Sequence, residues 1–144
     1  MRLTMHTDLA LRVLIYLALI GQDRATIQKI AEAHEISRNH LMKVVHKLAS
    51  LGYVRSIRGA GGGIELALEP ETIRLGELVG HVEPDFNLVE CFRADNRCVI
   101  TPACRLPRFL DQALAEFRAV LDHYTLADLV RDEDHHPLKI LLRL

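Results

Sequence analysis

Cys91, Cys98 and Cys104 all fall within CFRADNRCVITPAC, residues 91 to 104, and the chain has no other cysteine. Thiolates bind soft metals and react with oxidants, so this stretch is where chemistry would be done. Three is an awkward number, because disulfides consume thiols in pairs and a tetrahedral site takes four ligands. The spacing, C-x6-C-x5-C, matches neither the paired C-x2-C elements of a zinc ribbon nor the C-x2-C of a thioredoxin-like site. A loop carrying Asp95, Asn96 and Arg97 between its thiols, with Pro102 stiffening its end, can instead wrap an inorganic cluster wider than one ion, as thiolates do in iron-sulfur centres. The plainer alternative, three small apolar side chains in a core, finds little core in a stretch that is mostly polar.

The chain that must position these thiols has 144 residues, enough for one domain or a small domain with an appended element. Its start, MRLTMHTDLALRVLIYLALIG, is rich in apolar residues, but Asp8 and Arg12 interrupt it and no signal-peptide cleavage pattern is present. The uninterrupted apolar run, Val13 to Ile20, falls far below the roughly 20 residues of a membrane span. A cytoplasmic protein without a membrane anchor is therefore expected, and in that compartment a thiolate cluster is more often metal-bound than oxidised.

The net charge of −1 conceals a division along the chain. From Ile36 to Ile64 there is no Asp or Glu, while Arg38, Lys43, Lys47, Arg55 and Arg58 give that window +5 and leave −6 to the rest. Such a patch is the electrostatic footprint of a surface that faces phosphates, since neutralising a phosphate releases condensed counterions. A solvated charged face is the competing reading, and the elements beneath the patch decide between them. Thr26 caps a short helix, IQKIAEAH, whose Ile27, Ile30 and Ala31 share a face. His34, Glu35 and Ile36 then make a turn. Ser37 caps a second helix with apolar Leu41, Val44, Val45, Leu48 and Leu51, ended by Gly52.

Two capped helices on a three-residue turn describe a helix-turn-helix. Its second helix presents Ser37, Arg38, Asn39, His40, Lys43 and Lys47. Arg and Asn there can make bidentate contacts with guanine and adenine edges, and the lysines suit phosphates of double-stranded DNA. The strands YVRSI and IELAL come next, joined by RGAGGG, whose glycines allow close approach to a sugar-phosphate backbone. Arg58 and Gly61 lie on this wing tip, Arg58 placed to reach a minor groove. A nucleotide-binding glycine loop is excluded: there is no Lys-Ser or Lys-Thr pair, position 64 is Ile, and a strand stands where a helix should begin.

A short helix around Arg74 to Val82 is stopped by Pro84, and beyond the cysteines Pro107 opens a long one. In the latter, Leu106, Leu110, Ala113, Phe117, Val120 and Tyr124 recur at a/d heptad spacing. Such a stripe can pack on its own domain, but two-fold dimers are how helix-turn-helix proteins meet paired half-sites. It is read as a dimerisation helix, with Leu9, Val13 and Tyr16 of the first helix nearby. The expected fold is mainly α with a small β-wing: a winged helix-turn-helix domain over 1–83, a cluster-binding loop over 84–105, a dimerisation helix over 106–130 and a C-terminal tail over 131–144. Catalysis finds no nucleophile with a partnered base, and His135 and His136 sit in a polar DEDHH segment that reads as solvated tail.

These features together resemble the Rrf2 family of winged-helix regulators: the start RLT, a first helix running to LIYLA, the helix-turn-helix, the R-G-x-G-G-G wing and three cysteines before a long helix. The segments SRNHLMKVVHKL, ITPACRL and YTLADLV, with the ending PLKILLRL, are nearest to the nitric-oxide-sensing repressors of that family. The resemblance implies a homodimer whose cysteines hold an iron-sulfur cluster that nitric oxide attacks, releasing the operator. In iron-sulfur-assembly relatives a histidine three positions after the third cysteine completes a 2Fe-2S site, and that position here is Pro107. The nitric-oxide-sensing branch implies a 4Fe-4S cluster completed by a carboxylate near the start of the partner subunit's first helix, which is Asp8 here. Arg12, four residues on, can hold that carboxylate; His6, His81 and Glu90 are other candidate ligands. Without the family pattern, Asp8 reads as an acidic residue favouring the helix dipole. Two other readings stand beside this one: a regulator with a 2Fe-2S or zinc/thiol redox switch, and a cluster-bearing electron carrier.

Overall fold

The computed structural model describes residues 2–131 and 137–144. Helix α1 (Met5–Ile20) is buried nearly all round and forms the axle of the domain, with Val13, Leu14 and Tyr16 wholly inaccessible. Around it sit α2 (Ile27–Ala33), α3 (Arg38–Ser50), the hairpin β1 (Val54–Ile57) and β2 (Gly63–Leu66), and α4 (Leu75–Val82). Thr26 caps α2 by accepting the Lys29 N–H at 3.1 Å. The turn after it places Glu35 at φ 55°, a left-handed conformation that lets the Ile36 N–H reach back to the Ala31 carbonyl at 2.9 Å. Ser37 occupies the position before α3 as its sequence implies, but its hydroxyl makes no capping hydrogen bond and the side chain is exposed.

β1 and β2 pair antiparallel from Val54↔Leu66 to Ile57↔Gly63, and Ala25 pairs with Ile64, pinning the base of the wing to the start of α2. The tip turns through Gly59 and Gly61, at φ 100° and 76°. Such values cost glycine little and other residues much.

The N-terminus is tied down by a contact between residues far apart in the chain. Thr4 caps α1, and the buried Glu83 carboxylate just after α4 accepts the Thr4 N–H at 3.2 and 3.1 Å, the Thr4 hydroxyl at 3.1 Å and the Thr7 hydroxyl. One carboxylate thereby fixes the entry of α1 against the exit of α4, and charge-assisted hydrogen bonds of this kind are the stronger ones.

Helix α5 (Leu106–Asp122) is long and amphipathic, yet none of its residues is buried in the single chain. Phe109 is 58% exposed and Leu106 and Val120 about as much. Its contact with the domain runs through α4, where Gly76 and Gly80 stand one turn apart. A β-carbon on Gly76 would lie 2.6 Å from the Arg118 carbonyl oxygen and 2.3 Å from the Asp122 carboxylate, whereas one on Gly80 would meet only the Arg118 guanidinium at 2.9 Å. Gly76→Ala must push a backbone apart, an overpacking of about 1 to 3 kcal/mol. Its thermal midpoint should fall by several degrees, and Gly80→Ala, opposed by a mobile side-chain end, should lower it less.

The helix is shorter than the 106–130 segment. It ends at Asp122, so Tyr124 lies beyond it: the Tyr124 carbonyl accepts the Leu75 N–H at 2.9 Å, and Leu126, fully buried, donates to Ile73 at 2.8 Å. The Asp128 carboxylate caps this return by accepting the Thr125 N–H and hydroxyl at 2.7 and 2.9 Å. The expectation for Leu9, Val13 and Tyr16 is corrected similarly. They belong to the core that α1 shares chiefly with α3, α4 and β2, because α1 is apolar over most of its surface and polar mainly along the edge that carries Asp8 and Arg12. In the tail, α6 (Pro137–Leu141) brings Leu142 against the core. His135 and His136 lie outside the described residues.

His34, in the helix-turn-helix turn, abuts Tyr16 with ring centroids 6.1 Å apart. Burial first, then the charge of Arg12, holds its imidazole below the usual range. The unfolded chain takes up that proton near pH 6.5, the folded chain only at lower pH. Native stability is thus at its full value above about pH 6.5 and declines as pH falls below it. Urea midpoints measured from pH 7.5 to 5 should show that decline, and a flatter profile in His34→Asn.

Candidate functional site

Two separate regions carry the chemistry that the sequence singles out. The first is the outer face of α3 with the wing. Arg38, Asn39, His40 and Lys43 are exposed, as are Ser37, Arg58 and Gly61, while Lys47 is half-buried. Leu41, Val44, Val45 and Leu48 on the opposite side are buried, so the apolar half of the helix locks the polar half outward. Among the described residues, Arg38, Lys43, Lys47 and Arg58 have no carboxylate partner within ion-pair distance. Arg55 differs from them. The Glu65 carboxylate on β2 grips Arg24 and Arg55 at 2.6 Å each, and those two hydrogen bonds hold its carboxyl below the usual carboxylate range. The basic patch is therefore narrower than its sequence window, because a strand partner at position 65 lies just past the end of that window.

The second region is the cysteine loop. Cys91 sits in a single 3-10 turn, Glu90–Phe92, and all three cysteines are half-buried free thiols. Local polar bonds shape the rest of the loop. The Asn96 side chain accepts the Cys98 N–H at 2.9 Å and donates to the Thr101 hydroxyl at 2.9 Å; the Glu90 carboxylate accepts the Arg97 N–H at 3.1 Å. The Cys104 N–H closes the last turn on the Ile100 carbonyl at 2.9 Å. Among the described residues no three His, Cys, Asp or Glu side chains converge closely enough to hold a single metal ion. The donors nevertheless suit an iron-sulfur cluster, whose irons are reached by separate thiolates rather than by ligands meeting at one point.

Asp8 lies on α1 and pairs with Arg12 at 3.0 Å, its side chain 51% exposed. Within one chain it does not join the thiols in a metal-binding group. Of the other candidate ligands, His81 shares a 2.8 Å hydrogen bond between its Nδ1 and the Tyr53 hydroxyl, and Glu90 is engaged with the Arg97 N–H. Asp8 is left more available than either, since only an exposed arginine holds it. Sequence reasoning did not find Glu83 or Glu65. Both are lone acidic residues whose partners are set by the fold, and no spacing in the chain marks them.

No helix among the described residues is long and apolar enough to cross a membrane. Residues 3–132 match the Rrf2 family, described as "Iron-dependent Transcriptional regulator". The chain is 53% identical over 136 residues to the HTH-type transcriptional regulator NsrR of Bacillus subtilis (strain 168), covering 93% of each chain. It is 49% identical over 145 residues to the NsrR of Geobacillus kaustophilus (strain HTA426), covering 99% of this chain and 97% of that one. Among solved structures, T. potens IscR superposes with a TM-score of 0.74 at 24% identity, over 93% of this chain and 89% of the other. CymR (YrzC), the global cysteine regulator of B. subtilis, superposes at 0.70 with 30% identity, over 93% and 99%.

Proposed function

The chain belongs to the Rrf2 family of helix-turn-helix transcriptional regulators, and from that premise we propose that it is a homodimeric repressor whose affinity for an operator is set by nitric oxide acting on an iron-sulfur cluster. Cys91, Cys98 and Cys104 of one subunit and Asp8 of the partner subunit hold the cluster, of the 4Fe-4S type. The observation that carries the reading is the set of three free, half-buried thiols on one loop, with an exposed carboxylate on α1 that its own chain leaves without a metal-binding role. The relatives named NsrR support the nitric-oxide signal. Helix α5 supports the dimer, since its exposed Leu106, Phe109 and Val120 suit an apolar partner surface.

When bound, the cluster supplies iron atoms open to attack by nitric oxide. Everything else falls to the chain's own residues. Three soft thiolates anchor the loop; a hard carboxylate is a weaker partner for iron and is the most easily released. Arg12 holds the Asp8 carboxylate at 3.0 Å, and the same guanidinium would orient it towards a bound cluster. Tying the loop to the other subunit's α1 fixes the separation of the two α3 helices, so that Arg38, Asn39 and Lys43 of both meet consecutive half-sites while Arg58 and Gly61 of the wings meet backbone and minor groove.

A native mass spectrum of protein purified without air tests this directly. Dimer mass with bound iron and sulfide is expected, together with an operator complex that dissociates as nitric oxide is titrated. Protein that stays colourless and iron-free after reconstitution with ferrous iron and sulfide would refute the cluster; protein that keeps its operator under nitric oxide would refute the signal.

A further inference from the structure

The outer face of α3 carries one large apolar side chain among its polar ones and the small Ala49. Met42 is 38% exposed, lies four residues after Arg38 and four before His46 on the same exposed row, and is absent from the core and from the apolar residues packed against it. Every other large apolar residue of α3 faces inward. The thioether keeps over a third of its surface open beside Arg38, Asn39, Lys43 and His46, on the face that α3 would turn towards a groove, where an apolar group of the DNA could cover it. The edges of the base pairs in a major groove offer one apolar group, the C5-methyl of thymine. An unbranched, polarisable methionine with three rotatable bonds can settle on such a methyl without demanding exact placement.

We infer that Met42 is a specificity-determining residue that reads a thymine methyl in each half-site of the operator. The inference rests on α3 being the helix that enters the groove. Burying one methyl group against Met42 is worth about a fourfold change in affinity, and about fifteenfold for the symmetric pair in a dimer.

Deoxyuridine removes that methyl and leaves base pairing intact. With cluster-loaded dimer and an operator selected from random duplexes, each thymine is replaced by deoxyuridine symmetrically in both half-sites, and binding is measured at fixed salt. One position should lose about fifteenfold with the native chain, and the loss should vanish in Met42→Ala, a change at an exposed site that leaves the core untouched. A loss that persists in Met42→Ala, or no sensitive thymine at all, overturns the assignment. Lys43→Glu separates this from the wider reading: native affinity in that variant would overturn the placement of α3 in the groove, whereas lost affinity in it with an unchanged deoxyuridine effect in Met42→Ala would overturn Met42 alone.

Discussion

Lys43→Glu and Arg38→Glu are each expected to weaken operator binding by about thirtyfold or more at 0.15 M salt while leaving the cluster's visible absorption unchanged. Both side chains are exposed and neither has a carboxylate partner among the described residues, so no internal contact is lost with them. At the first position of α3 a glutamate even favours the helix dipole, and a binding defect in Arg38→Glu would not be a folding defect. A bidentate arginine contact to guanine contributes about 1 to 3 kcal/mol of discrimination, and a dimer uses it twice. Together that spans roughly 30-fold to 25,000-fold. Lys43 acts differently. Removing one phosphate contact from each subunit should lower the slope of log affinity against log salt by about 2, a signature that base contacts lack. Fluorescence anisotropy across a salt series separates the two roles. Full affinity in both variants would take the basic face of α3 out of DNA recognition, and joint loss of binding and colour would mean that the substitutions had disturbed the fold.

These effects can be anticipated from sequence because the reading head is a local object. Apolar spacing along Leu41, Val44, Val45 and Leu48 fixes which side of α3 is buried, and a helix has only one opposite side. The glycine-rich tip between β1 and β2 is equally legible, since left-handed backbone at Gly59 and Gly61 demands that residue type. Long-range pairings are not. Glu83 meets Thr4 across 79 positions, Glu65 neutralises Arg55 from the facing strand, and Gly76 is small because Arg118 crosses above it. Each is a single residue with no periodic echo in the chain. The end of α5 escapes for a related reason: the heptad stripe continues in sequence to Tyr124, but pairing of Arg74 with Thr125 turns the chain back to the core at that point. At the candidate site, the thiols are visible as residue types, whereas no spacing marks a ligand that would come from the first helix of another subunit.

That ligand gives the second large effect. Asp8→Ala should cost the folded chain little, since an exposed pair such as Asp8 with Arg12 at 3.0 Å contributes at most about 1 kcal/mol, as does an acidic residue at a helix start. If Asp8 only stabilises α1, the variant loses a fraction of a degree to a few degrees in melting temperature and nothing else. If it ties the cluster to the partner subunit, two further changes must appear together. The cluster, left with three thiolates, is lost much faster under nitric oxide or chelator, and the affinity ratio between cluster-loaded and cluster-free protein, expected at about 5- to 150-fold in the native chain, collapses towards one. Asp8→Cys supplies a softer ligand at the same place and should slow cluster loss below the native rate. The position of Asp8 makes the collapse physically reasonable. His34, in the turn between α2 and α3, packs on Tyr16 of α1 with ring centroids 6.1 Å apart, so a pull on α1 at Asp8 reaches the helix-turn-helix through that packing. Cluster decay followed by absorbance, with operator affinity measured on the same samples, decides between the two roles: native decay and a native affinity ratio in Asp8→Ala would leave Asp8 a helix-start residue and require the fourth ligand to be sought at His6, His81 or Glu90.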